Sequence, residues 1–158
     1  MIKEKKEFNK IFIIGLNKTA TSTIHHMFLQ NNFKSVHWDL PRYSKYKQNG
    51  IEESVLNNLK NNNNLLDKEL DENFQVFSDI QNLSINFELL DIQYPNSLFI
   101  YNYRNINNWI LSRLNFLHGN YINYWRIKNN KNNLSDKEVI KEWSNLYNNH
   151  HEKVVNYF

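Results

Sequence analysis

Cysteine is absent from the 158 residues. No disulfide framework, thiolate nucleophile or cysteine-based metal site is therefore available. A cytoplasmic setting is the natural expectation for such a chain. Glycine occurs three times and proline twice. That excludes collagen-like and linker-like architectures and turns each glycine or proline into a landmark. Arginine is scarce, with four residues against 15 lysines. No apolar run approaches the roughly 18–20 residues of a membrane span. The opening MIKEKKEFNK has no apolar signal region, so 1–9 is expected to be a polar lead-in. There is no dense Lys/Arg block of the kind that grips many phosphates, and no nucleic-acid partner is expected.

What is abundant is asparagine, at 30 residues. With Lys, Ile, Tyr and Phe it matches the products of AT-rich codons, as in large DNA viruses or parasites, and reads as coding background. Hydrophobic residues are 41% and charged residues 22%, so the chain is not compositionally disordered. Its length fits one domain, expected over 1–158. A net charge of +3 suits anionic ligands without identifying them.

Short apolar runs alternate with helical periodicity. Strands are expected at 11–14, 35–38, 74–77 and 98–103. Helices are expected at 21–31, 51–60, 83–92 and 107–118. Ser135, with Glu138 three residues on, forms a capping box that opens a helix toward Asn148. A last short helix is expected at 150–158, with His150 and His151 solvated. Asn61–Asn64 and Asn129–Asn133 read as polar breaks. The alternation predicts an α/β fold around a parallel sheet. Ligands in such folds bind at the carboxyl ends of the strands, after Ile14, Trp38, Phe77 and Tyr103.

GLNKTATST, from Gly15 to Thr23, follows the first strand and enters a helix. Backbone N–H groups of a turn, a helix N-terminus, one lysine and several hydroxyls can together cradle a phosphate or sulfate. The spacing is not that of a Walker A motif, which places lysine after a second glycine. A hydroxyl-rich helix cap with a solvated Lys18 fits the spacing equally. The second segment, YRNINNWILSR, starts where the strand at 98–103 ends. Arg104 and Ser112, eight residues apart, can reach one phosphate if the helix turns back over the strand end. Alternatively Arg104 pairs with Asp79 or caps the sheet.

The two segments together resemble the PAPS-dependent sulfotransferases. That family has a first turn K-[ST]-G-T-[TS], preceded in one branch by G-L-N, and a later R-x7-S element. Here these are GLNKTATST and RNINNWILS. The likeness covers 10–158 in outline and implies a three-layer α/β fold, a parallel β-sheet flanked by helices and similar to the P-loop NTPases. It implies that Lys18, Thr19, Thr21 and Ser22 hold the 5′-phosphosulfate of PAPS (3′-phosphoadenylyl sulfate), with Asn17, Ala20 and Thr23 completing the turn. Arg104 and Ser112 would hold the 3′-phosphate. Lys18, Asp79 and His37 are the catalytic candidates, Asp79 standing where a cytosolic branch has its histidine base. No metal is implied.

Two departures stand out. The family's glycine inside the first turn is Ala20, which would be accepted without strain if its φ is negative. The chain stops at VVNYF, short of the family's further strand and glycine-rich segment, as a minimal, truncated or decayed member would. Two other functions stay open. One is a non-catalytic nucleotide-binding or assembly protein. The other is a small P-loop nucleotide or metabolite kinase with Asp79 on magnesium. The acceptor, a small molecule, carbohydrate or peptide, is expected to meet variable loops at 41–47 and 120–133. His37, Asp39 and Trp38 are candidates for the acceptor cleft, as are His25 and His26 for participation in the site. Tyr43, Tyr46, Tyr121 and Tyr124 would form either an acceptor surface or a homodimer interface. Trp109, Trp125 and Trp143 are expected to pack in the core.

Overall fold

A computed structural model describes residues 8–38 and 50–158. Asp39, Tyr43, Tyr46, the expected loop at 41–47 and most of the lead-in lie outside the described residues. The chain divides into two compact units, Met1–Asn102 and Tyr103–Phe158.

The first unit is built on four parallel strands: β1 (Ile11–Ile13), β2 (Ser35–His37), β3 (Val76–Ser78) and β4 (Leu98–Ile100), in the order β2-β3-β1-β4. The side-chain period of two divides each central strand between two faces. On one face Ile11, Ile13 and Val76 pack against Ile24 and Phe28 of α1 (Thr21–Gln30). On the other, Phe12 is in register with Phe77 and Phe99. Its ring lies 5.5 Å from each and 5.7 Å from Tyr94. Such cross-strand aromatic pairs each add about 0.5–1.5 kcal/mol beyond their buried area. Tyr94 caps the end of α5 (Phe87–Gln93), so helical segments cover both faces of the sheet. The α/β three-layer expectation holds in this unit.

The remaining helices of this unit are α2 (Gly50–Lys60), α3 (Lys68–Asn73) and α4 (Gln81–Ile85). The expected helix at 83–92 is instead two, α4 and α5, separated at Asn86. The Asn86 amide donates to the Asn82 carbonyl at 2.7 Å, a local bond that competes with a continuous helix. Helix α3 was not anticipated. Its N-cap is Asp67, whose carboxylate accepts from Leu70 N–H at 3.0 Å. Because Phe74 caps α3, the third strand begins at Val76 rather than at 74.

The second unit contains α6 (Ile106–Leu114), α7 (Tyr121–Lys128) and α8 (Asp136–Tyr157). Helix α8 starts at the expected capping box and runs 22 residues, absorbing the separate helix expected at 150–158. Every fourth or third position of α8 is buried, Val139, Trp143, Tyr147, His150 and Val154, so one apolar stripe sustains the whole helix. His150 is therefore buried rather than solvated; His151 is exposed. Helix α7 occupies much of the expected acceptor loop at 120–133, and its Tyr121 is buried, not surface-forming. Trp109 and Trp143 are fully buried, and Trp125 stacks edge-on against Trp143. Arg113 is 1% exposed, its guanidinium 4.3 Å from the Trp143 ring centroid and 4.6 Å from that of Trp109. Flat aromatic faces around a planar cation offset part of its desolvation cost.

Candidate active site

The strand order contains a topological switch point. The chain leaves β1 toward β2 and leaves β3 toward β4, in opposite directions along the sheet. A crevice forms at such a switch point, at the carboxyl ends of adjacent strands. Here those ends carry Gly15 after β1 and Asp79 after β3, with His37 closing the neighbouring β2.

The turn after β1 is tightly specified. Ile14 N–H donates to the Ile100 carbonyl at 2.9 Å, continuing the pairing with β4. Gly15 N–H then donates to Asn102 Oδ1 at 3.2 Å. A Cβ at position 15 would lie 2.1 Å from the Asn102 carbonyl oxygen and 2.2 Å from its Oδ1, so only glycine fits. Thr19 is buried; its hydroxyl donates to Leu16 O at 2.6 Å and accepts from Asn102 Nδ2 at 2.8 Å. Lys18 and Ala20 both have left-handed backbones, with φ of 67° and 70°. Alternating hands along successive residues turn N–H groups toward a common centre, the geometry of an anion-binding nest. Ala20 is thus in the conformation glycine favours, and the condition of a negative φ is not met.

Ala20 is also the N-cap of α1, with no side-chain cap bond and no acidic residue in the first turn. The hydroxyl-capping alternative is not what this helix end uses. Asn17 and Lys18 are half-buried beside the turn, while Ser22 and Thr23 are exposed on the first turn of α1. Thr21 is buried, and its Oγ1 lies 3.3 Å from His37 Nε2.

His37 Nε2 also lies 3.6 Å from Asp79 Oδ2. Thr21, His37 and Asp79 therefore meet at one point of the first unit, as contacts of a single imidazole nitrogen. Burial, reinforced by the positive charges of His25 and His26, pushes the His37 pKa down to about 4, against a backbone hydrogen bond that raises it. The imidazole is neutral at pH 7. His25 is buried on α1, its ring 5.3 Å from that of His37 and its Nδ1 2.7 Å from Ser35 Oγ. His26 points to the surface, as adjacent helical positions must. Both Trp38 and Asp79 have left-handed backbones, with φ of 49° and 57°. Two such residues at the ends of neighbouring strands mark a locally strained rim, and Trp38 is 39% exposed there.

In the second unit Arg104 is exposed just before α6, whose N-cap Asn105 accepts from Asn107 N–H at 3.0 Å. The Arg104 backbone is held by Tyr147, whose hydroxyl accepts from its N–H at 3.0 Å and donates to its carbonyl. Ser112 is half-buried two turns into α6.

Sequence reasoning missed Asn102 and Tyr147. Asn102 is one of 30 asparagines and had no signal of its own. Tyr147 sits in the α8 stripe, where it reads as one more core residue.

No described helix is long and apolar enough to cross a membrane. No curated protein and no solved structure matches this sequence. A family model described as the sulfotransferase domain matches residues 10–158, nearly the whole chain and both motif segments. The chain belongs to the sulfotransferase domain family.

Proposed function

We propose that this protein transfers a sulfonate group from PAPS to an acceptor hydroxyl or amine. The observation that carries the proposal is the turn from Gly15 to Ala20. It joins a buried strand to an uncapped helix N-terminus through two left-handed residues, with Lys18 between its ends. These residues fit a sulfated phosphate: the nest and helix end supply N–H donors, and Lys18 supplies a mobile positive charge. When bound, PAPS supplies an activated sulfonate with 3′,5′-ADP as leaving group.

In the proposed division of roles, Lys18 and the turn N–H groups meet the charge that develops on the leaving phosphate oxygen. Thr21 and Ser22 add hydroxyl donors, and Asn17, Thr19 and Thr23 support the turn. Arg104, as a bidentate fork, and Ser112, as a single donor, hold the 3′-phosphate. Asp79 takes the proton from the acceptor. His37, neutral and touching both Thr21 and Asp79, orients the hydroxyl and the carboxylate rather than competing for the proton. Trp38, on the same rim, offers a flat apolar face to the acceptor.

Ala20 favours one second reading, a non-catalytic nucleotide-binding protein that keeps the fold. A methyl group stands there in a conformation that glycine adopts freely.

Calorimetric titration with 3′,5′-ADP, 5′-AMP and ATP, without metal, tests the donor site. Charged hydrogen bonds contribute about 1.5–3 kcal/mol each, so 3′,5′-ADP should bind at least about tenfold tighter than 5′-AMP. Equal binding of the two would remove Arg104 and Ser112 as the 3′-phosphate site. Binding of ATP only with magnesium would favour a kinase. Donor binding without sulfonate transfer to any acceptor would favour the non-catalytic reading.

A further inference from the structure

We infer that Asn102 is the positioning residue that sets the anion-binding turn, reaching from just beyond β4 to both ends of the segment between Gly15 and Thr19. The inference rests on the proposed donor site for its effect on binding, but not for its structural content.

One side-chain amide makes three bonds to the turn. Its Oδ1 accepts from Gly15 N–H at 3.2 Å. Its Nδ2 donates to the Thr19 carbonyl at 2.6 Å and to Thr19 Oγ1 at 2.8 Å. Thr19 in turn donates to Leu16 O at 2.6 Å. Gly15 and Thr19 are thus tied to one group, with Lys18 between them. A left-handed conformation is unfavourable for a non-glycine residue, so Lys18 and Ala20 keep theirs only where neighbours over-determine it. Asn102 supplies that constraint. A trans peptide places its C=O and the following N–H on opposite edges. Drawing the Thr19 carbonyl to Asn102 therefore turns the Ala20 N–H the other way, away from β4, where an anion can meet it.

The requirement is narrow. Aspartate keeps the acceptor for Gly15 but has no donor for Thr19; leucine has neither; glutamine is one methylene too long. Gly15 is the complementary half, because a Cβ there would collide with Asn102. The fit explains why one of the chain's three glycines stands at 15.

The test compares the parent protein with Asn102→Ala and Asn102→Asp by two readouts. In ligand-free hydrogen exchange, the Gly15 amide should exchange at least tenfold faster in Asn102→Ala, with Val76–Ser78 unchanged. In calorimetry, 3′,5′-ADP should bind at least tenfold more weakly to both variants. Asn102→Asp should keep more Gly15 protection than Asn102→Ala, a graded response that general destabilisation would not give. Gly15 exchange within twofold of the parent in Asn102→Ala overturns the inference. So does ADP affinity within twofold despite altered exchange. Should Asn102→Ala not fold, Asn102→Asp decides by the affinity readout alone. A parent protein that takes no 3′,5′-ADP overturns the donor-site proposal instead, and the exchange comparison then decides the role of Asn102.

Discussion

The hydroxyl of Tyr147 accepts from the backbone N–H of Arg104 and donates to its carbonyl, so a residue of α8 fixes the start of α6. The Tyr147 ring is itself held 4.7 Å from that of Trp109. An exposed arginine thereby springs from a rigid base. Tyr147→Phe keeps the packing and removes both hydrogen bonds. It should cost about 1–2 kcal/mol, seen as a fall of several degrees in Tm. The preference for 3′,5′-ADP over 5′-AMP should shrink several-fold while 5′-AMP binding stays the same. An unchanged preference would show that the Arg104 side chain does not depend on this anchor.

Ala20 holds φ at 70° without the freedom of glycine. Ala20→Gly relieves that strain, offset in part by the greater entropy of glycine in the unfolded chain. A net gain of about 1 kcal/mol is expected, measurable as a higher urea midpoint. If Ala20 also narrows the cradle, 3′,5′-ADP will bind more tightly to the variant. A lower midpoint would place the origin of the left-handed turn elsewhere.

His37 titrates near pH 4 in the folded protein against an ordinary value of 6.5. Between those values the unfolded chain binds the additional proton, so stability falls as the pH drops from about 6.5 to 4. The contribution is fully present above pH 6.5. Its full extent is on the order of 3 kcal/mol. His25, also held below its ordinary value by burial and by His26, acts in the same direction. His37→Gln should flatten the slope of unfolding free energy between pH 6.5 and 4.5, leaving the His25 part. An equal slope in the variant would rule out His37 as its source.

Asp79→Asn separates binding from chemistry. Loss of a general base lowers turnover by about 10²–10⁴. The expected result is that loss in sulfonate transfer, with 3′,5′-ADP affinity within about twofold of the parent. Transfer at the full rate would remove Asp79 as the base, and His37→Gln would then be assayed for it.

The central strands β1 and β3 were legible because each is a short run buried throughout, and the capping box because Ser135 and Glu138 act over three residues. Helices α3 and α7 were not. Helix α3 has one apolar residue, Leu70, among charges, and α7 is apolar or aromatic around most of its circumference, so neither shows a single apolar face until the partner surfaces are known. The break at Asn86 depends on one side chain choosing a backbone acceptor that hydrophobic spacing does not report. The same limit governed the site. Arg104, Gly15 and the hydroxyl cluster beside Lys18 stood out against the compositional background, whereas Asn102 was indistinguishable from the asparagines around it.

The two motif segments carried the resemblance to the family, and the alternation of apolar runs with helical spacing set the α/β class, since each is a local or periodic property. Tertiary structure decided the sign of φ at Ala20, the convergence of Thr21 and Asp79 on His37, and which asparagine is structural. Those depend on strands distant in sequence coming into register. Only then does a Cβ at position 15 meet Asn102, and only then is His37 buried deeply enough for its pKa to fall to about 4.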